Sequence, residues 1–222
     1  MNVVNIGFIA DAIPIYGRAI VVTLRIAALG ILFSLVIGAI CSLVTYCHVR
    51  GADKLAKGYI ELSRNTPLVI QLFFLYYGLP KLGVMLSNET CAVIGLSFLG
   101  GSYMAESLRA GLEAVSKVQV ELGLSIGLDT FQLIRFVVFP QAMAVAVPAL
   151  GANCIFLIKE TSVVSIIALR DLMSVTKELI GMYYNTTESL LLLVIGYLLI
   201  LLPVSYALIL LERKVRYAEF GI

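Results

Sequence analysis

The sequence predicts an all-α membrane protein with about five transmembrane helices. Of its 222 residues, 60% are hydrophobic and only 14% are charged, and the mean hydropathy is +1.00. A water-soluble core of this size cannot bury so many apolar side chains, so lipid must cover part of the chain. A bilayer-spanning helix needs roughly 20 apolar residues. Three charge-free runs meet that length: 26–45, 136–158 and 189–211.

Each predicted helix follows one apolar run, in chain order. The first helix contains the run 26–45, and the second contains the run 58–80, which Glu61 and Arg64 interrupt. The third contains the run 90–110, which carries two charges near its end. The fourth and fifth contain the two remaining charge-free runs. We therefore expect helices at about 17–47, 56–80, 90–111, 138–165 and 188–211, in a single transmembrane domain that occupies residues 1–222.

The distribution of basic residues predicts the orientation of the chain. Lys and Arg in short loops beside transmembrane helices stay preferentially in the cytoplasm. Nine basic residues lie at one set of helix ends and four lie at the other. This asymmetry places the N-terminus outside and the C-terminus inside. The nine are Arg50, Lys54, Lys57, Arg109, Lys117, Arg135, Arg213, Lys214 and Arg216, and the four are Arg18, Lys81, Arg170 and Lys177.

The segment of about 112–137 is the longest predicted cytoplasmic loop. It is neither Gly/Ser-rich nor of low complexity, so we expect it to be folded. Gly123 and Gly127 weaken a long uninterrupted helix, and we expect short helices joined by a turn. Apolar residues recur at spacings of three and four, which is typical of a helix that lies against protein or the membrane surface. These residues are Leu112, Val115, Val118, Leu122 and Ile126.

Several classes of function are excluded by motifs that the sequence lacks. There is no G-x-x-x-x-G-K-S/T phosphate loop, so the chain does not itself hydrolyse ATP, and no hydrolase or dinucleotide motif is present. The single histidine, His48, excludes a metal site built from imidazoles. The net charge of +2 is small and dispersed, which gives no footprint for nucleic acid. Transport is the favoured class.

Glu61 and Arg64 are the first candidates for a functional role. They lie three residues apart on the second predicted helix, and one interpretation is an ion pair that neutralises its own insertion cost. The other interpretation is that Arg64 contacts a substrate. Pro67 favours the second, because it removes a backbone donor and breaks the helix, and broken helices at membrane depth line cavities or buried protein.

Lys159 and Glu160 form a second candidate cluster, together with Thr161 and Ser162. This cluster fits the snorkelling end of the fourth predicted helix, where the hydroxyl groups start a turn. It also fits a substrate contact, because ionisable residues inside a membrane normally face a water-filled or protein-lined interior. The residues alone leave both interpretations open.

Three stretches resemble the permease subunits of bacterial ABC importers for polar amino acids such as histidine, glutamine and arginine. Residues 61–71, ELSRNTPLVIQ, resemble the signature of the family's second helix, RGTPLLVQ, with Asn65 in place of Gly. Residues 157–163 resemble the family's K-x-T-S-L stretch, and residues 116–140 resemble its cytoplasmic EAA loop. The resemblance covers about residues 14–217 and implies the fold of a type I ABC importer permease.

The resemblance also implies where the chain couples to an ATPase. In the EAA loop, which runs from Ser116, the family pattern is matched by Glu121, by Gly127 six residues later, and by Pro140 at the end. We expect these four residues to form the ATPase-coupling segment. The sequence departs from the pattern at three positions, which are Leu122, Gly123 and Phe139.

The partners implied by the resemblance are those of an importer in the bacterial inner membrane. Two permease subunits, identical or different, pair in lipid, and two ATPase subunits carry ATP and Mg²⁺, so this chain binds no cofactor of its own. An extracytoplasmic amino acid-binding protein delivers the substrate. The competing classes are a secondary transporter driven by an ion gradient and a scaffold that does not transport.

Both charges of an amino acid need partners inside the membrane. We expect Arg64 or Lys159 to face the substrate carboxylate. Glu160 or Glu61 would face its amine or a cationic side chain. Neutral hydrogen bonds would come from Thr66 and Asn153. With these, the predicted substrate-binding residues are Glu61, Arg64, Thr66, Asn153, Lys159 and Glu160, and no catalytic or metal-binding residue is predicted.

Overall fold

A computed structural model describes the backbone of residues 5–220 and the side chains of residues 5–215. Within that range every regular element is helical, as predicted. Arg216, one of the nine basic residues counted above, has its side chain outside the described part. The helices are α1 Ile6–Tyr46, α2 Ala52–Arg64, α3 Leu68–Phe73, α4 Asn88–Glu113, α5 Lys117–Ser125, α6 Thr130–Leu133, α7 Phe139–Glu160, α8 Leu172–Tyr183 and α9 Thr186–Phe220.

Three of these helices are extended by turns of different pitch. Helix α3 continues through a π-helical turn, Phe74–Gly78, and a 3₁₀ turn, Leu79–Leu82. A π-helical turn, Ile134–Val138, joins α6 to α7, and α7 runs on as the 3₁₀ helix Thr161–Ile167. Among the described residues, four stretches are long and apolar enough to cross a membrane: Ile6–Tyr46, Asn88–Glu113, Thr130–Ile167 and Thr186–Val215. They confirm the prediction of a multi-pass helical protein.

The second predicted helix, 56–80, is not continuous. Helix α2 ends at Arg64, and Pro67 adopts an extended conformation with φ −58° and ψ 141° before α3 begins. The reason is the one that the sequence suggests, since Pro67 has no N–H to donate and its ring crowds a preceding turn. The carbonyl of Thr66 accepts a hydrogen bond from Gln71 Nε2 at 3.0 Å instead. The predicted break is therefore confirmed, and the predicted helix 56–80 is two helices, α2 and α3, instead of a continuous one.

The first helix is longer than predicted. It begins at Ile6 rather than near residue 17, and Pro14 lies inside it. Ala12 and Tyr16 are buried in a hydrophobic core, so tertiary packing of this early stretch outweighs its proline and its charges. Pro148 and Pro203 also lie inside helices.

The chain folds into two compact units, each built from three separate stretches. The organisation as a single transmembrane domain stays a prediction. Unit 1 comprises Met1–Leu32, Thr66–Ser97 and Ile155–Val204. Its core includes Tyr16, whose hydroxyl donates to the Ser189 carbonyl at 2.8 Å. The buried hydroxyl of Tyr16 is thus tied to backbone, as burial requires.

Unit 2 comprises Phe33–Asn65, Phe98–Cys154 and Ser205–Ile222. Its helices approach closely at glycines. A β-carbon at Gly38 would lie 2.5 Å from Met104 Cβ, and one at Gly111 would overlap the carbonyl oxygen of Ala142. Small residues at such crossings let membrane helices pack backbone against backbone.

The predicted cytoplasmic loop, 112–137, folds as two short helices. Helix α5 ends at Ser125, and Gly127 turns the chain with φ +87°. Asp129 then caps α6, because its side chain accepts from the N–H of Gln132 at 2.9 Å while the Gln132 side chain accepts from the N–H of Asp129 at 3.0 Å. Short helices joined by a turn were predicted, and the structure confirms them.

Stability should depend on pH through Asp171, the buried N-cap of α8. Burial raises the pKa of Asp171 from 3.8 to about 6, against the N–H donors of Ser174 and Met173 and the charge of Lys177, which lower it. The folded state therefore binds more protons than the unfolded state between those values. We expect the wild type to lose about 3 kcal/mol of stability as pH rises from about 4 to 6.

The matched variant is Asp171→Asn, which keeps an acceptor for the helix cap and removes the titration. The free energy of unfolding is measured in detergent for both proteins. We expect that of the wild type to fall relative to that of Asp171→Asn as the pH rises from 4 to 7. A difference between the two proteins that is the same at both pH values would contradict this prediction.

Candidate functional site

A charged cavity of about 560 Å³ lies within unit 2. Its walls come from the end of α1, from α2 and from the second half of α4. Three of its lining side chains carry positive charge and three carry negative charge at neutral pH, besides one histidine. The lining residues are Thr45, His48, Lys57, Ile60, Glu61, Arg64, Asn65, Tyr103, Glu106, Arg109 and Glu113.

Two partly buried hydrogen bonds fix the end of α2 against α4. The hydroxyl groups of Tyr59 and Ser63 both donate to the carbonyl of Phe98, at 2.7 Å and 2.8 Å. The Tyr59 and Phe98 rings also meet edge to face, with centroids 5.0 Å apart. These contacts set the position of Arg64, which is the last residue of α2.

On α4, one arginine binds two carboxylates along a single helix face. Arg109 donates from Nε to Glu106 Oε1 at 3.3 Å and from its second terminal nitrogen to Glu106 Oε2 at 2.9 Å. Its first terminal nitrogen donates to both oxygens of Glu113 at 2.7 Å. The spacing of three and four residues brings these side chains together. Arg109 is therefore fully engaged by its own helix.

Arg64 is held much more loosely. Its nearest acidic partner is Glu106, with a nitrogen to oxygen distance of 3.6 Å, which exceeds hydrogen-bond length. Its Cζ lies 5.3 Å from the centre of the Tyr103 ring, which is within cation–π range. The side chain of Arg64 stays 43% exposed. Most of its N–H donors are thus free to meet a ligand in the cavity.

Glu61 is the acidic counterpart of Arg64. It is exposed and lines the same cavity, and among the described residues no ion pair involves its carboxylate. The ion pair between Glu61 and Arg64 that the spacing suggested does not form, because Arg64 turns toward α4. The cavity therefore presents one loosely held cation and one unpaired anion, three residues apart.

Asn153 lies on α7 and contacts α4. Its side-chain nitrogen donates to the carbonyl of Tyr103 at 3.2 Å and to the hydroxyl of Ser107 at 2.9 Å. Both N–H groups are therefore used in joining the two helices, and its side-chain oxygen is the group left for a ligand. Asn153 and Arg64 therefore both contact Tyr103, the first at its carbonyl and the second at its ring.

The other three predicted substrate residues belong to unit 1. Thr66 lies in the break between α2 and α3, Lys159 is exposed near the end of α7, and Glu160 is half-buried beside it. Thr161 follows with its hydroxyl bonded to the Ile158 carbonyl at 2.7 Å, which starts the 3₁₀ helix. Their contact with a substrate stays a prediction.

The predicted coupling residues mark the ends and turns of the α5 region. Ser116 is the N-cap of α5, Glu121 is exposed on it, Gly127 forms the turn after it, and Pro140 lies in the first turn of α7. Gly123 has a clear packing role, since a β-carbon there would lie 2.6 Å from a methyl group of Leu133.

Helices α5 and α6 also expose a set of large apolar side chains. A monomeric soluble surface rarely shows so many together, and such patches mark interaction sites. Each of them is more than half exposed. The side chains are Val118, Leu122, Leu124, Ile126 and Phe131.

Four residues that line the cavity were not predicted as site residues: Tyr103, Glu106, Arg109 and Glu113. The spacing of the three charged residues gave a local signal, because positions 106, 109 and 113 share one face of a helix. Nothing in the sequence indicated that Arg64 would meet Glu106, which is 42 positions away, since that contact depends on how α2 packs against α4.

Curated relatives are similar to the chain over most of its length. It is 39% identical over 165 residues to the probable amino-acid permease protein YxeN of Bacillus subtilis, covering 73% of this chain and 74% of the relative. It is 32% identical over 207 residues to the glutamine transport system permease protein GlnP of Escherichia coli K12, covering 92% and 94%.

A solved structure agrees with the fold. The crystal structure of an amino acid ABC transporter with histidines superposes with a TM-score of 0.88 at 29% identity, covering 96% of this chain and 100% of that one. The model of the family of binding-protein-dependent transport system inner membrane components matches residues 30–217. These findings confirm the resemblance drawn from the three sequence stretches. The chain therefore belongs to the family of binding-protein-dependent transport system inner membrane components and is a multi-pass inner-membrane protein.

Proposed function

We propose that this chain is the transmembrane subunit of an importer that carries a polar or charged amino acid into the cytoplasm, driven by ATP hydrolysis on separate subunits. The named relatives are amino-acid permeases, which supports the substrate class. The N-terminus lies outside and the C-terminus inside, in accordance with the nine basic residues against four. ATP and Mg²⁺ belong to the partner ATPase, and this chain binds no cofactor.

The observation that carries the proposal is the pair of available charges in the cavity of unit 2. An amino acid is a zwitterion, and a site that takes it out of bulk water needs a partner for each of its charges. Arg64 offers N–H donors in a planar fork that fits a carboxylate, and Glu61 offers an unpaired acceptor for the ammonium group. A cavity with balanced charge suits a ligand with balanced charge.

The exposed apolar side chains of α5 and α6 supply the second part of the proposal. They form the docking surface for an ATPase subunit, and Ser116, Glu121, Gly127 and Pro140 hold the two short helices in shape. Closure of the ATPase pair on ATP moves these helices and alternates access to the substrate path. The assembly further contains a second permease subunit, identical or different, and an extracytoplasmic binding protein that delivers the amino acid.

The test is uptake into proteoliposomes that contain this chain, its ATPase and its binding protein. A panel of amino acids is offered under three conditions. The vesicles hold ATP and an ion gradient, or ATP without a gradient, or a gradient without ATP. Uptake of one or a few polar amino acids that needs ATP alone supports the importer. Uptake that follows a proton or sodium gradient without ATP would instead establish a secondary transporter and refute the proposal.

Charge on the docking surface should uncouple the ATPase. We expect Leu122→Glu to reduce co-purification of the ATPase and ligand-stimulated hydrolysis by about tenfold or more, because a buried Leu contributes about 1.5 to 3 kcal/mol to an interface. Leu122 is 59% exposed, so the stability of this chain alone should change little.

The matched control for this prediction is Leu55→Glu. Leu55 is 77% exposed on α2, outside the coupling segment, and receives the same change of side chain. It should keep normal coupling. Equal loss of the ATPase in both variants would show that α5 has no special role in docking.

A further inference from the structure

Arg64 is positioned without being firmly bound. Its guanidinium lies over the Tyr103 ring at 5.3 Å and approaches Glu106 Oε2 only to 3.6 Å. A guanidinium has five N–H donors, and an ion pair at this distance with both side chains partly exposed is weak. Arg64 can therefore change its carboxylate partner with little loss.

Glu106 can lose Arg64 without being left unpaired. Both of its oxygens accept hydrogen bonds from Arg109, at 3.3 Å and 2.9 Å. Glu106 therefore keeps both hydrogen bonds to Arg109 when Arg64 moves away, whereas a carboxylate with one partner would become an unpaired charge. Arg109 holds Glu106 by two hydrogen bonds, whereas Arg64 approaches it only to 3.6 Å. The contact between Arg64 and Glu106 is therefore the one that is exchanged.

We propose that Arg64 exchanges Glu106 for the α-carboxylate of the transported amino acid, while the Tyr103 ring keeps the guanidinium plane in place. This inference rests on the proposed function and adds to it a positioning residue, Glu106. Glu106 competes with the substrate for Arg64 and so sets how tightly a carboxylate binds. Ligands that lack the α-carboxylate gain nothing from the exchange and are discriminated against.

The exchange can be measured on the purified assembly of this chain with its ATPase in lipid nanodiscs, without transport. Phenylglyoxal modifies accessible guanidinium groups, and mass spectrometry gives the labelling rate of Arg64 alone. We expect Glu106→Gln to speed labelling of Arg64 by about two- to fivefold, which matches the weak ion pair that is lost. Arg25, in unit 1, provides an internal reference whose rate should not change.

Glu113→Gln is the matched control. Glu113 lines the same cavity and binds Arg109, yet no described contact joins it to Arg64. The same loss of one carboxylate charge should leave the labelling rate of Arg64 unchanged. Equal acceleration in Glu106→Gln and Glu113→Gln would reduce the effect to the general charge of the cavity and overturn the exchange.

The second arm uses ligands as protectants. The twenty L-amino acids are each added, and those that slow labelling of Arg64 are compared with their α-amides, which lack the carboxylate. An amino acid that binds, added at ten times its Kd, should slow the labelling of Arg64 about tenfold, and its α-amide should leave the labelling rate unchanged. Equal protection by acid and amide, or protection by none of the twenty, overturns the proposal.

Tyr103 gives a variant series that is independent of charge. Tyr103→Phe keeps the ring and should keep the protection, whereas Tyr103→Leu should reduce it. If ATP-driven uptake is present but Arg64 labelling ignores Glu106 and every amino acid, the exchange fails and the importer stands. If uptake is absent while protection is present, the importer fails alone.

Discussion

Gly111→Ala is expected to destabilise the protein by about 1 kcal/mol, and by up to about 2, although alanine is the better helix former. A β-carbon at Gly111 overlaps the carbonyl oxygen of Ala142 and lies 2.9 Å from the β-carbon of Ala146. Both contacts lie on α7, so backbone and not a flexible side chain must move. Overpacking of this kind costs about 1 to 3 kcal/mol, and the gain in helix propensity returns only about 1 kcal/mol.

Gly58→Ala provides the same substitution with the opposite expected sign. Gly58 lies inside α2, and within the described structure a β-carbon there meets nothing within 4 Å. This variant should be stabilised by about 0.5 to 1 kcal/mol through helix propensity alone. Thermal unfolding of both variants in the same detergent measures the difference. Equal effects would mean that α4 and α7 do not pack as closely as described.

Arg64→Ala is expected to lower ATP-driven uptake by about 10- to 150-fold, because a hydrogen bond to a charged group contributes about 1.5 to 3 kcal/mol. Its effect on folding should be smaller, since the ion pair with Glu106 is long and exposed. Arg64→Lys keeps the charge but loses the planar fork and the guanidinium contact with the Tyr103 ring, so only part of the uptake should return.

Arg25→Ala is the control for the loss of an arginine. Arg25 also forms an exposed ion pair, with Glu89, and it lies in unit 1 outside the charged cavity. Its uptake should stay close to that of the wild type. Uptake measured in proteoliposomes, normalised to the amount of assembled protein, separates transport from folding. An Arg64→Ala protein with undiminished uptake would remove Arg64 from the substrate path.

The long membrane-spanning helices were predictable because the thickness of the bilayer sets their minimum length. The hydrocarbon thickness of a bilayer requires about 20 apolar residues, and the charge-free runs showed those directly. Pro67 was equally readable, since the missing N–H acts locally. The early start of α1 was not, because Asp11 and Pro14 argue against a helix before residue 17 until the burial of Ala12 and Tyr16 is known.

The candidate site was predicted in part. Glu61 and Arg64 stood out because charged residues are rare inside apolar runs, and the structure places both on one cavity. Their mutual pairing was the simplest expectation and does not occur, because the two hydroxyl bonds to Phe98 turn the end of α2 toward α4. Sequence spacing describes neighbours on one helix and cannot report which helix lies opposite.

The length of α1 has a consequence for the surrounding lipid. At 1.5 Å per residue its 41 residues extend about 62 Å, roughly twice the 30 Å thickness of a bilayer's hydrocarbon region. A helix with that surplus accommodates a thicker or thinner membrane by changing its inclination, at a small cost per ångström of mismatch. Changes in acyl-chain length should thus disturb this helix less than the shorter α4, whose 26 residues extend about 39 Å and leave a smaller reserve.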